Sequence, residues 1–281
     1  MAQPYVINSR GEKELFSFKK AYDSARRVGA SRSLAGEIAE TVKKEVFPGI
    51  KTSAIHEKIR KLLSRKVFNS ALRFSLKSGM RQLGPTGFPF EKYIGEVLRE
   101  SGFRVKINQF LPGLCIRSYE IDFVAERNKT VYVGECKYRN VAGERVHSGD
   151  VLENYARFLD ISKGPYFKSK KYQDFRVKTM MVTNTKFTQR SVDYSRCVGI
   201  DLLGWRVPKN RGLEYLIEKE KVYPITVLPS LRGHLKDIFV SERMMLAKDV
   251  LKIEPQKFAR RFRVPVKPIE SLVREAKVLL E

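Results

Sequence analysis

Residues 118–137 read Ser-Tyr-Glu-Ile-Asp-Phe-Val-Ala-Glu-Arg-Asn-Lys-Thr-Val-Tyr-Val-Gly-Glu-Cys-Lys. Two runs rich in β-branched and aromatic residues, Ser118 to Glu126 and Thr130 to Cys136, flank the turn Arg127-Asn128-Lys129, which predicts a hairpin. Strand side chains alternate between faces, so Glu135 and Lys137 point one way and Cys136 the other. Pairing about that turn brings Asp122 up to Glu135 across the sheet. Two neighbouring carboxylates repel unless a cation shares them. Mg²⁺ takes hard oxygen ligands and keeps several waters, so it suits such a pair, with Mn²⁺ the other candidate. A metal held there acidifies a bound water and polarises a phosphoryl oxygen. Lys137 would orient that water or offset charge developing on the phosphate. The plainer reading is an exposed hairpin of ordinary alternating charge, because an acid followed by Glu-x-Lys is common by chance. Against it, Val131, Tyr132 and Val133 mark the second strand as largely buried, and charges ending a buried strand cost stability unless they serve a site or a pair.

Around the hairpin, helix and strand patterns alternate. Phe90 to Ser101 reads as a helix closed by Gly102, and Arg104 to Ile107 as a strand. Apolar residues of Asp150 to Ile161 form one helical face. Val177 to Val182 is a compact apolar strand, Ser191 to Val198 a helix, and Ile200 to Arg206, with the lone Trp205, a last strand. This alternation predicts an α/β domain. Upstream, Tyr5 to Ile7 and Leu15-Phe16 form a short hairpin about Ser9-Arg10-Gly11. Helices follow over Lys19 to Val28, around Leu34, Ile38 and Val42, and around Ile55, Ile59 and Leu62-Leu63, the last opened by Thr52 or Ser53. A fourth runs from Phe68 to Leu83. The breakers in Gly84-Pro85-Thr86-Gly87-Phe88-Pro89 set a boundary. From Leu228 to Glu281 the pattern is helical and basic. The reading is three domains: 1–84, 88–210 and 222–281.

Lys and Arg number 55 against 31 Asp and Glu in 281 residues, a formal charge of +24. Such an excess attracts polyanions, and each neutralised phosphate of a nucleic acid releases counterions. DNA is therefore the first partner to consider, and an anionic membrane surface the second. A thermophile-like lysine-rich surface would carry matching Glu. No apolar run approaches the roughly 20 residues that span a bilayer. Met1 to Arg10 lacks the apolar stretch of a secretory leader, so a cytoplasmic protein is expected. Cys115, Cys136 and Cys197 are far apart and form no Cys-x-x-Cys, which speaks against a zinc ribbon or a disulfide framework.

Asp122 followed by Glu135-Cys136-Lys137 resembles the signature of the PD-(D/E)xK nucleases, nearest to the Mrr-like restriction endonucleases and archaeal Holliday-junction resolvases. Phe90-Glu91-Lys92-Tyr93-Ile94 through Val105 is similar to the helix that precedes the hairpin in that family. Val182-Thr183-Asn184 with Phe187-Thr188 is similar to its late strand and following helix start. The likeness spans Phe88 to Pro208, with Ile121 where the signature has Pro. It implies a mixed sheet flanked by helices, and metal-dependent endonucleolytic hydrolysis of DNA phosphodiesters. Glu91, Asp122 and Glu135 would hold the metal, with Lys137 as catalytic partner, and a homodimer able to cut both strands is implied.

The first third resembles an ATP-cone, a small hairpin packed on four helices, through Val6, Gly11, Phe16, Lys20, Ile38, Val42, Ile59 and Ala71-Leu72-Arg73-Phe74. That likeness implies an ATP or dATP effector contacted by Arg10 and Lys20. Asn8-Ser9-Arg10-Gly11 lacks the lysine that ordinarily precedes the arginine there, which leaves open a scaffold or dimerisation role. Lys257, Arg260, Arg261, Arg263 and Lys267 cluster about Phe262, either against phosphates or as a solvated helix end. The competing function is a non-catalytic, nucleotide-responsive DNA-binding regulator. The ATP-cone repressor of nucleotide reductase genes carries a zinc ribbon that this chain lacks.

Overall fold

The computed structural model describes residues 4–84 and 89–281. Most of the Gly84–Pro89 boundary therefore lies outside the described residues. The chain gathers into two compact units. One comprises Met1–Met80, Ile225–Ile238 and Ala247–Glu281, and the other Arg81–Pro224 and Phe239–Leu246. The C-terminal helices, read from sequence as a separate segment, thus cluster for the most part with the first third of the chain. No described helix is long and apolar enough to cross a membrane.

In the first unit β1 (Tyr5–Ile7) pairs antiparallel with β2 (Lys13–Leu15). Helices α1 (Phe18–Arg27) and α2 (Arg32–Glu45) are each opened by a serine, Ser17 and Ser31, whose hydroxyl accepts a first-turn N–H. A two-residue β3 (Ile50–Lys51) pairs parallel with β1. It leads straight into α3 (Thr52–Lys66), so Thr52 is the first helical residue rather than a cap. Val6, Phe16, Ala25, Ile38, Val42, Ile59 and Leu63 make the core.

The single helix expected over Phe68 to Leu83 is two: α4 (Phe68–Phe74) and α5 (Leu76–Gln82). At the break, the Ala71 carbonyl is shared by the Ser75 N–H at 3.1 Å and the Ser75 hydroxyl at 3.0 Å. Beyond it, a Cβ on Gly79 would stand 2.6 Å from Val227 Cγ1, and the Thr226 hydroxyl donates to the Gly79 carbonyl at 2.8 Å. That close approach, invisible to a 3.6-residue period, redirects the second half.

The second unit begins with α6 (Phe90–Glu100), which buries Phe90, Tyr93, Ile94, Val97 and Leu98. Then come β4 (Arg104–Leu111), β5 (Tyr119–Arg127) and β6 (Thr130–Lys137), an antiparallel meander. Asn128 and Lys129, both at φ near +50°, make the tight turn expected between β5 and β6. A short β7 (Arg145–Val146) and α7 (Ser148–Lys163) lead to β8 (Arg176–Thr183), which lies parallel to β6. Next, β9 (Lys186–Phe187) pairs with β7, α8 (Gln189–Val198) is capped by Thr188, and β10 (Asp201–Leu203) adds to β8 in parallel. The five-stranded order is β10-β8-β6-β5-β4, mixed in direction. α6 packs on β4 and β5, and α7 on β8.

β4 runs on to Leu111, past the Arg104–Ile107 strand that alternation predicts, and β7 and β9, two residues each, are too short for an alternation pattern. The strand expected over Ile200 to Arg206 stops at Leu203, because the chain bends into a Gly204–Val207 bridge.

Helix α9 (Leu213–Lys219) closes the sheet unit. Downstream, α10 (His234–Ser241) precedes α11 (Pro255–Phe262) and α12 (Val266–Leu280). Arg263, in the left-handed region at φ 52°, ends α11 and turns the chain into α12. In the basic cluster here, Lys257 pairs with Glu254 at 2.6 Å and the Arg261 guanidinium lies 4.7 Å from the centre of the Phe262 ring.

Candidate active site

Strands β5 and β6 pair as far as Phe123 opposite Gly134. One further step of that register would set Asp122 opposite Glu135. The backbone ladder stops there, and the Asp122 side chain takes it over: its Oδ2 accepts the Cys136 N–H at 2.6 Å. On its other side β6 stays paired with β8 through Lys137 opposite Thr183. The Thr183 hydroxyl donates to the Lys137 carbonyl at 2.6 Å. Glu135, Cys136 and Lys137 are therefore fixed by β8 from one side and by a carboxylate from the other.

Glu135 is 8% exposed. Its Oε1 lies 3.0 Å from Lys137 Nζ and its Oε2 3.2 Å from Nη2 of Arg157 on α7. Alternation along β6 accounts for the first pair, since residues two apart share a face. Burial, helped by the charges of Glu135 and Glu91, pushes Asp122 up to about 6, against the lowering effects of the Cys136 N–H and Arg157. Burial and then Asp122, Glu135 and Glu91 hold the Cys136 thiol well above its usual range, so it is no ready nucleophile.

Glu91, in the first turn of α6, thus stands near enough to act on both Asp122 and Cys136. Among the described residues no group of three or more His, Cys, Asp or Glu side chains is gathered tightly enough to hold a metal by itself. Mg²⁺ usually sits on one or two carboxylates, waters and substrate phosphates rather than in an all-protein cage. Asp122 and Glu135, with Glu91 as a nearby charge, are a donor set of that kind. Asp122 is raised first by burial and then by the charges of Glu135 and Glu91, and a dication would offset all three.

The residues after β6 hold the chain. The Tyr138 hydroxyl donates to the Arg81 carbonyl at 2.6 Å, and its ring leans on Phe90 at 5.8 Å. Arg139 forks onto both oxygens of Asp150, each at 3.1 Å. Its backbone exchanges two hydrogen bonds with the side chain of Asn184, at 2.9 and 2.8 Å. His147 caps α7, its backbone N–H donating to Asp150 at 3.1 Å. Glu120 is exposed although alternation sets it on the Asp122 face, because it lies near the open start of β5, and its carbonyl accepts from Arg157 at 3.4 Å.

Residues 223–280 match the family model described as AF1548-like, C-terminal. Over 189 residues the chain is 33% identical to an uncharacterized protein of Archaeoglobus fulgidus, covering 66% of this chain and 99% of that protein. The chain belongs to the AF1548-like family. A solved structure, the crystal structure of AF1548, a protein of unknown function, is 32% identical with a TM-score of 0.54, over 68% of this chain and 96% of that one. The MspJI restriction endonuclease, solved with a 27-mer oligonucleotide, aligns at a TM-score of 0.28 and 11% identity over 76% of this chain and 42% of that chain. That likeness is too low to establish a shared fold. About a third of this AF1548-like chain falls outside its match to the A. fulgidus relative.

Arg157 escaped sequence reading. Nothing in the helical pattern of residues 150–161 separates an arginine turned toward the sheet from one on a solvated face. Its one available signal was the uncompensated carboxylate at Glu135, which needed a second cation.

In the first unit, a cavity of about 310 Å³ is lined by residues of β1, β2, α1, α3 and α4 and of the turns between them, including Val6, Phe16, Lys20, Ile55, His56 and Phe74. Lys20 Nζ lies 2.8 Å from Glu14. Arg10 is not on the lining, and its guanidinium pairs with Glu12 at 2.7 Å. The structure thus brings one of the two expected nucleotide contacts, Lys20, to a cavity.

Proposed function

We propose that this AF1548-like protein is a metal-dependent endonuclease of the PD-(D/E)xK type that hydrolyses DNA phosphodiester bonds. One observation carries the reading: Asp122 and Glu135 converge where the β5–β6 ladder ends, with Lys137 on Glu135. The order α6-β4-β5-β6-β7-α7-β8 around them supports it, as does the charge of +24. Asp122 and Glu135 would hold Mg²⁺ or Mn²⁺, with Glu91 as a further carboxylate. The metal supplies an acidified water and a Lewis acid for the phosphoryl oxygen. Lys137 offsets negative charge on the phosphate as the water oxygen bonds to phosphorus and the bridging P–O bond breaks. Cleavage of duplex, single-stranded, flap and four-way-junction DNA with Mg²⁺ or Mn²⁺, and with EDTA as control, tests the proposal. Metal-dependent nicking of at least one substrate is expected. DNA binding without cleavage of any would favour the non-catalytic regulator.

The cavity in the first unit favours an ATP or dATP effector as an added feature. Its apolar walls suit a base, and Lys20, once released from Glu14, suits a phosphate. Calorimetric titration with ATP should show binding that Lys20→Ala weakens by about tenfold and Arg10→Ala leaves unchanged. Equal losses in both variants would place the phosphates elsewhere.

A further inference from the structure

Resting on the nuclease reading, we infer that Arg157 is a placeholder for the divalent ion at Glu135 and a ligand of the scissile phosphate once that ion is bound. Glu135 is nearly buried, and two cations account for its two oxygens: Lys137 at 3.0 Å on Oε1 and Arg157 at 3.2 Å on Oε2. A buried carboxylate needs that compensation before any metal arrives. The two cations differ in how they are held. Lys137 rides on β6 two residues from Glu135, so strand geometry keeps the pair together. Arg157 reaches in from α7, a different element. It also reaches the Glu120 carbonyl through Nη1 at 3.4 Å and Glu153 through Nη2 at 3.9 Å, both longer than its contact with Glu135. With a divalent ion held by Glu135, the guanidinium would keep its charge beside the site and lose its best acceptor.

A planar fork of five donors suits the non-bridging oxygens of a phosphate bidentately, where an ammonium would offer a point charge. The substrate phosphate brings the acceptors that Glu135 gives up. Metal entry is thereby coupled to substrate contact: a dication alone must displace Arg157 from Glu135, whereas a dication with DNA re-engages it.

The two roles predict opposite signs for one variant. In Arg157→Ala, Mn²⁺ binding to the DNA-free protein, measured by calorimetry, should tighten several-fold because the competing cation is gone. Cleavage at saturating metal and DNA should fall on the order of a hundredfold. Arg157→Lys should keep the wild-type metal affinity and recover only part of the rate. Circular dichroism melting of all three proteins reports folding. Should Arg157→Ala lower the melting temperature and empty the protein of helix, Arg157→Lys, which keeps a cation on Glu135, carries the test through its rate alone. Weaker or unchanged Mn²⁺ binding in a folded Arg157→Ala protein, or full cleavage in either variant, overturns the proposal. Failure of the wild-type protein to bind Mn²⁺ or to cleave would instead sink the nuclease reading beneath it.

Discussion

Asp122→Asn is expected to abolish cleavage, by on the order of a thousandfold or more, and at the same time to make the protein more stable. The two effects share one cause. Asp122 is raised from 3.8 to about 6 chiefly by burial, then by Glu135 and Glu91. Its ionised form is thus less favourable in the folded chain than in the unfolded one. A raised carboxyl destabilises most above its folded value and not at all below its unfolded value. The cost is therefore full at pH 7, shrinks as the pH falls from about 6 to about 4, and vanishes below that. Asparagine removes it while its carbonyl oxygen can still accept the Cys136 N–H now held by Oδ2. Allowing for solvent around a group that is only partly buried, the gain at pH 7 in EDTA is about 1–2 kcal/mol, or several degrees in melting temperature. Scanning calorimetry at pH 7 and pH 4 checks the sign, because the difference between the two proteins should close at the lower pH. Filter binding should show duplex affinity nearly unchanged, since the net charge rather than the site supplies it. Lys137→Ala should also lose cleavage, but without the gain in stability, because it strips Glu135 of one of its two cations. A less stable Asp122→Asn protein at neutral pH would show that the ionised carboxylate is not destabilised in the folded chain.

The hairpin and its acids were legible because a period of two and a turn of known chemistry fix which side chains share a face. Glu135 and Lys137 follow from β6 alone, and Asp122 follows once Asn128 and Lys129 close the turn. The cation on Arg157 was not legible, because it comes from the rotation of α7 about its axis against the sheet, and no local pattern fixes that rotation. The split of α4 from α5 and the grouping of the C-terminal helices with residues before Met80 share this character. Each depends on contacts between residues more than a hundred positions apart, such as Gly79 with Val227. The first third lies between these cases. Its hairpin and helices were periodic enough to read, whereas the turning of Arg10 away from the cavity toward Glu12 was set by a local ion pair that composition alone leaves open.

The site also depends on a residue with no side chain. Gly134 faces Phe123 at the last rung of the β5–β6 ladder, and a Cβ there would lie 2.1 Å from Cε2 and Cζ of the ring. Phe123 is completely buried, so the ring cannot swing out into solvent. At an ordinary strand position Gly→Ala stabilises by roughly 0.5–1 kcal/mol through lower chain entropy. Here carbon atoms need about 3.5 Å or more, and the ring or the strand must give way by more than 1 Å. Gly134→Ala is therefore expected to destabilise by about 2–4 kcal/mol, the upper range of overpacking. A denaturant titration of the single and double variants isolates the cause. Phe123→Ala alone should cost about 3–5 kcal/mol, but Gly134→Ala added to it should cost less than about 1 kcal/mol, a large favourable coupling. Function should report the same collision, because Phe123 adjoins Asp122 and Gly134 adjoins Glu135 in the chain. A shift of about 1 Å in the strands that carry both acids would lower cleavage by on the order of a hundredfold even in the folded fraction. Additive costs at Phe123 and Gly134, or normal cleavage by Gly134→Ala, would mean that the two strands can part at this rung without disturbing the carboxylates beyond it.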